Sequence, residues 1–295
     1  MKIFDCFMYC DEKMLLDIRL NILNKHVDKF IIVESNFYHN GENKEFTFDL
    51  NEFKDFKEKI IYVKVIEKPN NIRQYDIEDN KKSVDIFNSL LLDNFQRDQI
   101  SLGLSQSRPE DIIIISDIDE IPNLENIDLR LISEKFIFFK QDFFYYKFNL
   151  RHPTLKWFGS KATKKKNLRT PQFLRNLKSK VYPWWRLDTF FSRKKTSNAK
   201  IIENGGWHFT NIKSAENIYK KLNCFAHHTE FNNSGIKVGD LNRFIKNEIV
   251  YYDHQLDQSN QDKWKANISL ERININKLPK YIIDNYSKFK PWIKN

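Results

Sequence analysis

Three carboxylates fall within four residues directly after the most apolar run in the chain. The stretch reads Ile112-Ile113-Ile114-Ile115-Ser116-Asp117-Ile118-Asp119-Glu120-Ile121-Pro122. Acids this close repel one another unless a cation sits between them. Mg²⁺ or Mn²⁺ suits that place, since such hard cations use one or two carboxylates and complete their shell with phosphate oxygens. Asp117 and Asp119 are separated by one residue, so in extended backbone they point to the same side and can share a metal and a nucleotide. The plain alternative is a solvated acidic turn. A phosphatase-type nucleophilic Asp is the closest chemical rival, but Glu120-Ile121-Pro122 lacks a small hydroxyl-bearing turn.

A second constellation is Gly205-Gly206-Trp207-His208-Phe209. Two glycines let the backbone turn and come close to a ligand. Trp207 offers an apolar face to a sugar ring, and His208 offers a neutral nitrogen to the metal that Asp119 would hold. The plain alternative is a turn whose Trp fills the core and whose His caps a strand; proton transfer by His208 is a third.

These residues need a scaffold. Residues 2–9, Phe30–Val33, Ile60–Val65 and Ile112–Ile115 read as strands, Phe30–Val33 suited to cover on both faces and Ile112–Ile115 the most apolar in the chain. Asp11 is expected to cap a helix carrying Leu15, Ile18 and Ile22. A second helix is expected over 83–103, with Phe87, Leu91 and Phe95 on its stripe. This order indicates an α/β fold with a mostly parallel central sheet flanked by helices. In such sheets ligands sit beyond the carboxyl ends of the strands, where the acidic motif stands. Residues 136–148 read as one or two strands, and Ser214 caps a helix with Ile218, Leu222 and Phe225. The polar tail after 255 is expected to wrap the surface. No linker divides the chain, so one domain is expected over 1–295: a nucleotide-binding half to 122, an acceptor half over 123–250 and an extension over 251–295.

Of 295 residues, 41% are apolar and 15% aromatic, which excludes wholesale disorder. No apolar run approaches the ~18 residues that span a bilayer, and the N-terminus reads as a strand, not a signal peptide. Cys6, Cys10 and Cys224 cannot pair completely, which suits reduced thiols in the cytosol. The net charge of +10 is unevenly placed: residues 156–200 hold 14 Lys or Arg and one acid, Asp188. Lys164-Lys165-Lys166 and Arg193-Lys194-Lys195 flank Tyr182, Trp184 and Trp185 there. Such a segment suits phosphate, a sugar, nucleic acid or an anionic membrane face, or is a solvated loop.

The segment Ser116–Pro122 resembles the metal and sugar-nucleotide motif of glycosyltransferase family 17, the β-1,4-mannosyl-glycoprotein β-1,4-N-acetylglucosaminyltransferases. Asp5-Cys6-Phe7, Ile18-Arg19-Leu20 and Val27–Glu34 resemble the family's opening. Gln96-Arg97-Asp98-Gln99-Ile100 is similar to the helix before its acidic motif. Gly205–Phe209, Lys221-Leu222 and Phe225-Ala226-His227 resemble its second block, so the likeness runs over roughly 2–250. The sequence departs from the animal members in starting at the first strand, without a membrane anchor, and in the basic stretch 156–200.

The resemblance implies a GT-A-like fold and metal-dependent, inverting transfer of a sugar, GlcNAc by family expectation, from a UDP-sugar to a glycan or lipid-linked glycan. Asp117, Asp119 and His208 would hold Mn²⁺ or Mg²⁺. Glu34, Arg97, Gly206 and Trp207 would contact the donor, Glu34 at the uridine or its ribose and Arg97 at the phosphates or the acidic motif. Glu120 or Glu230, the latter just after His227-His228, would be the catalytic base. The expected place is the cytoplasm, with peripheral contact at the inner membrane face through 156–200. Two rivals stay open: a nucleic-acid-binding protein using 156–200, and a sugar-nucleotide-binding protein without transfer activity.

Overall fold

The computed structural model describes residues 1–76, 80–225, 228–256 and 261–294. Its first half alternates strands and helices: β1 (Ile3–Tyr9), α1 (Lys13–Leu23), β2 (Lys29–Ser35), β3 (Ile60–Val65), α2 (Lys81–Asp98), α3 (Ile100–Gly103) and β4 (Ile112–Asp117). Then follow β5 (Glu120–Pro122), β6 (Phe136–Phe139), β7 (Gln141–Tyr145), β8 (Leu150–Trp157), β9 (Lys161–Lys164), α4 (Pro171–Asn176), α5 (Leu187–Phe191), β10 (Ala199–Ile202) and β11 (Gly206–Thr210). The rest holds α6 (Ala215–Cys224), α7 (His228–Ser234), α8 (Val238–Asn247), β12 (Ile249–Val250), β13 (Ile268–Ser269), β14 (Glu271–Arg272), α9 (Lys280–Asp284) and α10 (Tyr286–Phe289).

The fold is α/β. A seven-stranded sheet runs in the order β10-β6-β9-β4-β1-β2-β3, and only β9 is antiparallel to its neighbours. A second sheet, β14-β8-β7-β11-β5, is mainly antiparallel, so the mostly parallel expectation describes the first sheet and not the second. The residues 136–148 contribute one strand to each sheet.

The Ile run shows why the first sheet is two-faced. Ile112 and Ile114 join the core under α1, with Leu16, Leu20 and Leu23. Ile113 and Ile115 join the opposite core, with Leu92, Ile100 and Leu174 from α2, α3 and α4. Alternate side chains leave a strand on opposite faces, and each face here has its own cover.

Several local expectations are corrected. Glu12, not Asp11, stands at the N-cap of α1, with no side-chain capping bond; its carboxylate instead accepts from the Cys10 and Asp11 N–H groups at 3.1 Å. Helix α2 stops at Asp98 and buries Val84, Leu92, Gln96 and Arg97. Phe87 lies exposed, with the Arg73 guanidinium over its ring. The polar residues win the inner face because they have partners there: Gln96 Nε2 donates to the Val33 carbonyl at 3.2 Å. The tail does not merely wrap the surface, since Leu278, Ile282, Phe289 and Ile293 are buried in the core under α1.

One buried ion pair ties this scaffold to the acidic motif. Arg19 and Asp5 are both fully buried and meet in two bonds of 2.7 and 2.6 Å. The remaining guanidinium nitrogen of Arg19 donates to the backbone carbonyls of Asp117, Ile118 and Glu120 at 3.1, 3.3 and 2.7 Å. Removing one partner of such a pair strands a buried charge, at a cost of about 3–5 kcal/mol. Arg19→Ala is therefore expected to lower unfolding stability by about that amount in urea denaturation. A loss under about 1 kcal/mol would mean that the pair is solvated.

Candidate active site

A cavity of about 810 Å³ opens beside the carboxyl ends of β1, β2 and β4 and is walled by α2, α4, α6 and the end of β8. Its size is that of a small-molecule site. Asp117 and Asp119 both line it, with Arg97, Arg175, His208 and Lys221.

Asp117 ends β4 and is held by two guanidiniums: Arg97 donates to Oδ1 at 3.1 Å and Arg175 to Oδ2 at 2.7 Å. Burial raises its pKa, but the Arg175 and Arg97 charges outweigh that and hold it well below the usual carboxylate range. Arg97 is itself set by Asp93, one helical turn earlier, at 2.9 and 3.1 Å, and by Gln172. Asp93 also has His39 at 3.7 Å. Asp119 faces His208 Nε2 at 3.5 Å and Lys221 Nζ at 3.7 Å. Burial raises its pKa too, and His208 and Lys221 reverse that to a net lowering. The His208 ring is gripped edge-on by Phe143, centroids 4.4 Å apart, and packs on Trp157 at 5.2 Å.

Glu120 is part of the wall, and its carboxylate is occupied. Oε1 accepts from Arg175 and from Trp157 Nε1, both at 2.6 Å, and Oε2 accepts from the Asp117 N–H at 2.7 Å. Gly159 makes room for it: a Cβ there would sit 2.0 Å from the carboxylate carbon. With three of its roughly four acceptor sites filled, such a group orients its neighbours.

Four other expected residues do not line the cavity. Glu34 is fully buried and anchors the segment after β2, accepting from Lys44 at 2.7 Å, the Thr47 and Phe48 N–H groups, and Tyr62 Oη. Gly206 opens β11 at φ +127°, where a Cβ would lie 2.1 Å from the Ile121 carbonyl oxygen. It serves the β5–β11 pairing. Trp207 packs on the core under α1, because the pleat that sends His208 inward sends its neighbour to the other face. Glu230, on α7, pairs with Lys263 Nζ at 2.6 Å. His227 lies outside the described residues. Arg175, Asp93, His39 and Trp157 complete the site and were not singled out in the sequence; Lys221, named there only within the second block of the family resemblance, joins them. Arg175 had a signal, since Thr170-Pro171 starts a helix inside the basic stretch 156–200.

The metal expectation can be tested on the donor set. Adjacent donors of an octahedral Mg²⁺ at 2.0–2.1 Å stand about 3 Å apart. Asp119 Oδ1 and His208 Nε2, 3.5 Å apart on the cavity wall, fit such a mount. Asp117 fits less well, since both its oxygens are held by arginines. Among the described residues no three acid, His or Cys side chains form a complete metal site.

A family model, glycosyltransferase family 17, matches residues 1–178. The chain belongs to that family. Membership makes it a glycosyltransferase, with a sugar donor and a glycan acceptor. The matched part contains β1 to α4, and so the Asp5–Arg19 pair, the acidic motif, Arg97 and Arg175. It stops short of the Gly-Gly-Trp-His block, which the sequence resemblance had included. No curated protein matches the chain.

The lowered carboxylates of Asp93, Asp117 and Asp119 make a pH prediction. Each binds its proton less readily in the folded state than in the unfolded state. Their stabilisation is thus present above the ordinary value of 3.8 and is lost as pH falls through the lower folded values. Urea midpoints should drop below about pH 4, and less steeply in Asp119→Asn. Identical slopes in the two proteins would contradict the assignment.

Proposed function

We propose that this glycosyltransferase is a metal-dependent, inverting enzyme of the GT-A type that takes its sugar from a UDP-sugar, with GlcNAc as the donor sugar by family expectation. The observation that carries the reading is the convergence of Asp119 with His208, and of Arg97 with Arg175 on Asp117, in one cavity at the carboxyl ends of parallel strands. The single reversed strand in an otherwise parallel sheet leaves those ends together on one side.

Charge balance supports the metal. The cavity is lined by five carboxylates, Glu12, Asp93, Asp117, Asp119 and Glu120, and by five cations, Lys44, Arg97, Lys156, Arg175 and Lys221. A diphosphate entering this balanced site adds unmatched negative charge. Mn²⁺ or Mg²⁺ on Asp119 and His208 would supply the Lewis acid that offsets it. The buried Arg97 Nε has no hydrogen-bond partner in the structure. Arg97 and Arg175, already fixed by Asp93, Gln172 and Glu120, can turn their donors to phosphate oxygens without much reorganisation.

In the transfer, the acceptor hydroxyl oxygen bonds to the anomeric carbon as the bond from that carbon to the diphosphate oxygen breaks. The electron pair leaves with UDP, and the hydroxyl proton passes to a base. Glu120 and Glu230 are poor choices for that base in this geometry, the first because it is buried and held by Arg175, Trp157 and the Asp117 N–H, the second because it stands outside the cavity wall. The three free thiols suit a reducing compartment, and we place the enzyme in the cytoplasm.

Calorimetric titration of UDP and UDP-GlcNAc tests the reading. Wild type should bind both with Mn²⁺ and at least tenfold more weakly without it. Asp119→Ala and His208→Ala should lose the Mn²⁺ dependence. Binding that ignores Mn²⁺ in all three proteins would contradict the metal mount, and no binding at all would contradict the UDP donor.

A further inference from the structure

The basic segment leaves the cavity wall and ends in an uncovered apolar tip. Arg175, Asn176 and Ser179 line the cavity. Beyond them the chain forms a stem: the Lys178 N–H donates to the Lys194 carbonyl at 2.7 Å, and the Tyr182 N–H to the Thr196 carbonyl at 2.9 Å. The Tyr182 ring is buried at the base, with Lys180, Arg186 and Lys195 around it at 5.5 to 5.8 Å. Between the two halves of the stem, Trp184 is 73% exposed, Trp185 66%, Leu187 74% and Phe191 88%.

A stem that holds four large apolar side chains outward is unlike ordinary surface, where such residues scatter singly. The surrounding charge is positive. Arg193 and Lys194 follow the tip, and its one acid, Asp188, is neutralised by Arg186 at 2.9 Å and by Lys195. Trp rings at the rim, aliphatic and Phe side chains beside them and a cationic collar match the headgroup boundary of an anionic bilayer. Nucleic acid matches less well. The Trp184 and Trp185 rings meet edge to face, at 86°, and leave no parallel slot for bases. Leu187, a large exposed part of the tip, has no stacking use.

We propose that residues 181–195 form a docking finger for an anionic lipid surface, with Trp184, Trp185, Leu187 and Phe191 entering the headgroup boundary. Trp184 lies five positions along the chain from Ser179 on the cavity wall, a span of at most about 18 Å. Docking would therefore hold the cavity mouth near the membrane, where a lipid-linked acceptor is presented. That last step rests on the glycosyltransferase reading; the docking itself needs no nucleotide.

Flotation with vesicles tests it. The full chain is mixed with phosphatidylcholine vesicles and with vesicles of phosphatidylcholine and phosphatidylglycerol at about 3:1. Wild type should float with the second and not the first, and added salt should weaken the binding. The variant Trp184→Ser/Trp185→Ser/Phe191→Ser should bind at least tenfold more weakly with unchanged circular dichroism. Arg193→Glu/Lys194→Glu, which keeps the apolar tip, should also bind more weakly. Absence of flotation with anionic vesicles overturns the proposal. So does wild-type affinity in the triple variant, and so does tight binding to a single-stranded RNA without vesicle binding. None of these results touches the UDP titration, so failure here leaves the donor site standing.

Discussion

Everything in the candidate site hangs from the Asp5–Arg19 pair. A buried arginine is costly unless each part of its guanidinium is matched. Two edges are matched by Asp5, and the third nitrogen can be satisfied only by the carbonyls of Asp117, Ile118 and Glu120. The pairing fixes how the chain turns between β4 and β5, and with it the direction in which Asp117 and Asp119 leave the backbone. Asp5 sits in the middle of β1, beside Ile114 of β4. The turn is thus referenced to the interior of the sheet and not to its edge.

Above that anchor, charge is arranged as linked pairs. Asp93 sets Arg97, Arg97 and Arg175 share Asp117, and Glu120 sets Arg175. Lys161 closes the chain beneath, donating to the carbonyls of Arg175 and Leu177. Burial, reinforced by the Arg175 charge, pushes its pKa down to about 7. Removing a member leaves a buried partner uncompensated, so the network is expected to be rigid before any ligand arrives. That is the preorganisation the proposed diphosphate leaving group would require. Asp119 stands apart from the arginine network and, among the described residues, pairs with His208 and Lys221 at longer range. It is the carboxylate whose surroundings leave most room for a metal.

Much of this was legible in the sequence, and the remainder was hidden for physical reasons. The Ile run and the acids behind it announced a buried strand and its carboxyl end, because four apolar residues and a sudden change of polarity are local signals. Helix α2 was legible in place but not in facing. Periodicity equates buried with apolar, whereas Gln96 and Arg97 are buried by partners on other elements. Trp207 and His208 were read as one cluster although a strand separates neighbours to opposite faces. Glu34 was placed correctly at a strand end, but its ligands come from Lys44, Thr47, Phe48 and Tyr62, which no spacing rule connects. Strand β9, Lys-Ala-Thr-Lys, carries no alternation at all and is a strand only because β4 and β6 leave a place between them.

The most direct test of the account is a crystal structure with UDP and Mn²⁺ bound. The account predicts the diphosphate in the cavity within hydrogen-bonding reach of Arg97 or Arg175, with the ion on Asp119 and His208 and the Arg19 contacts to residues 117–120 unchanged. A nucleotide bound elsewhere, or a diphosphate in the cavity with Asp119 and His208 still facing each other and no ion between them, would contradict it.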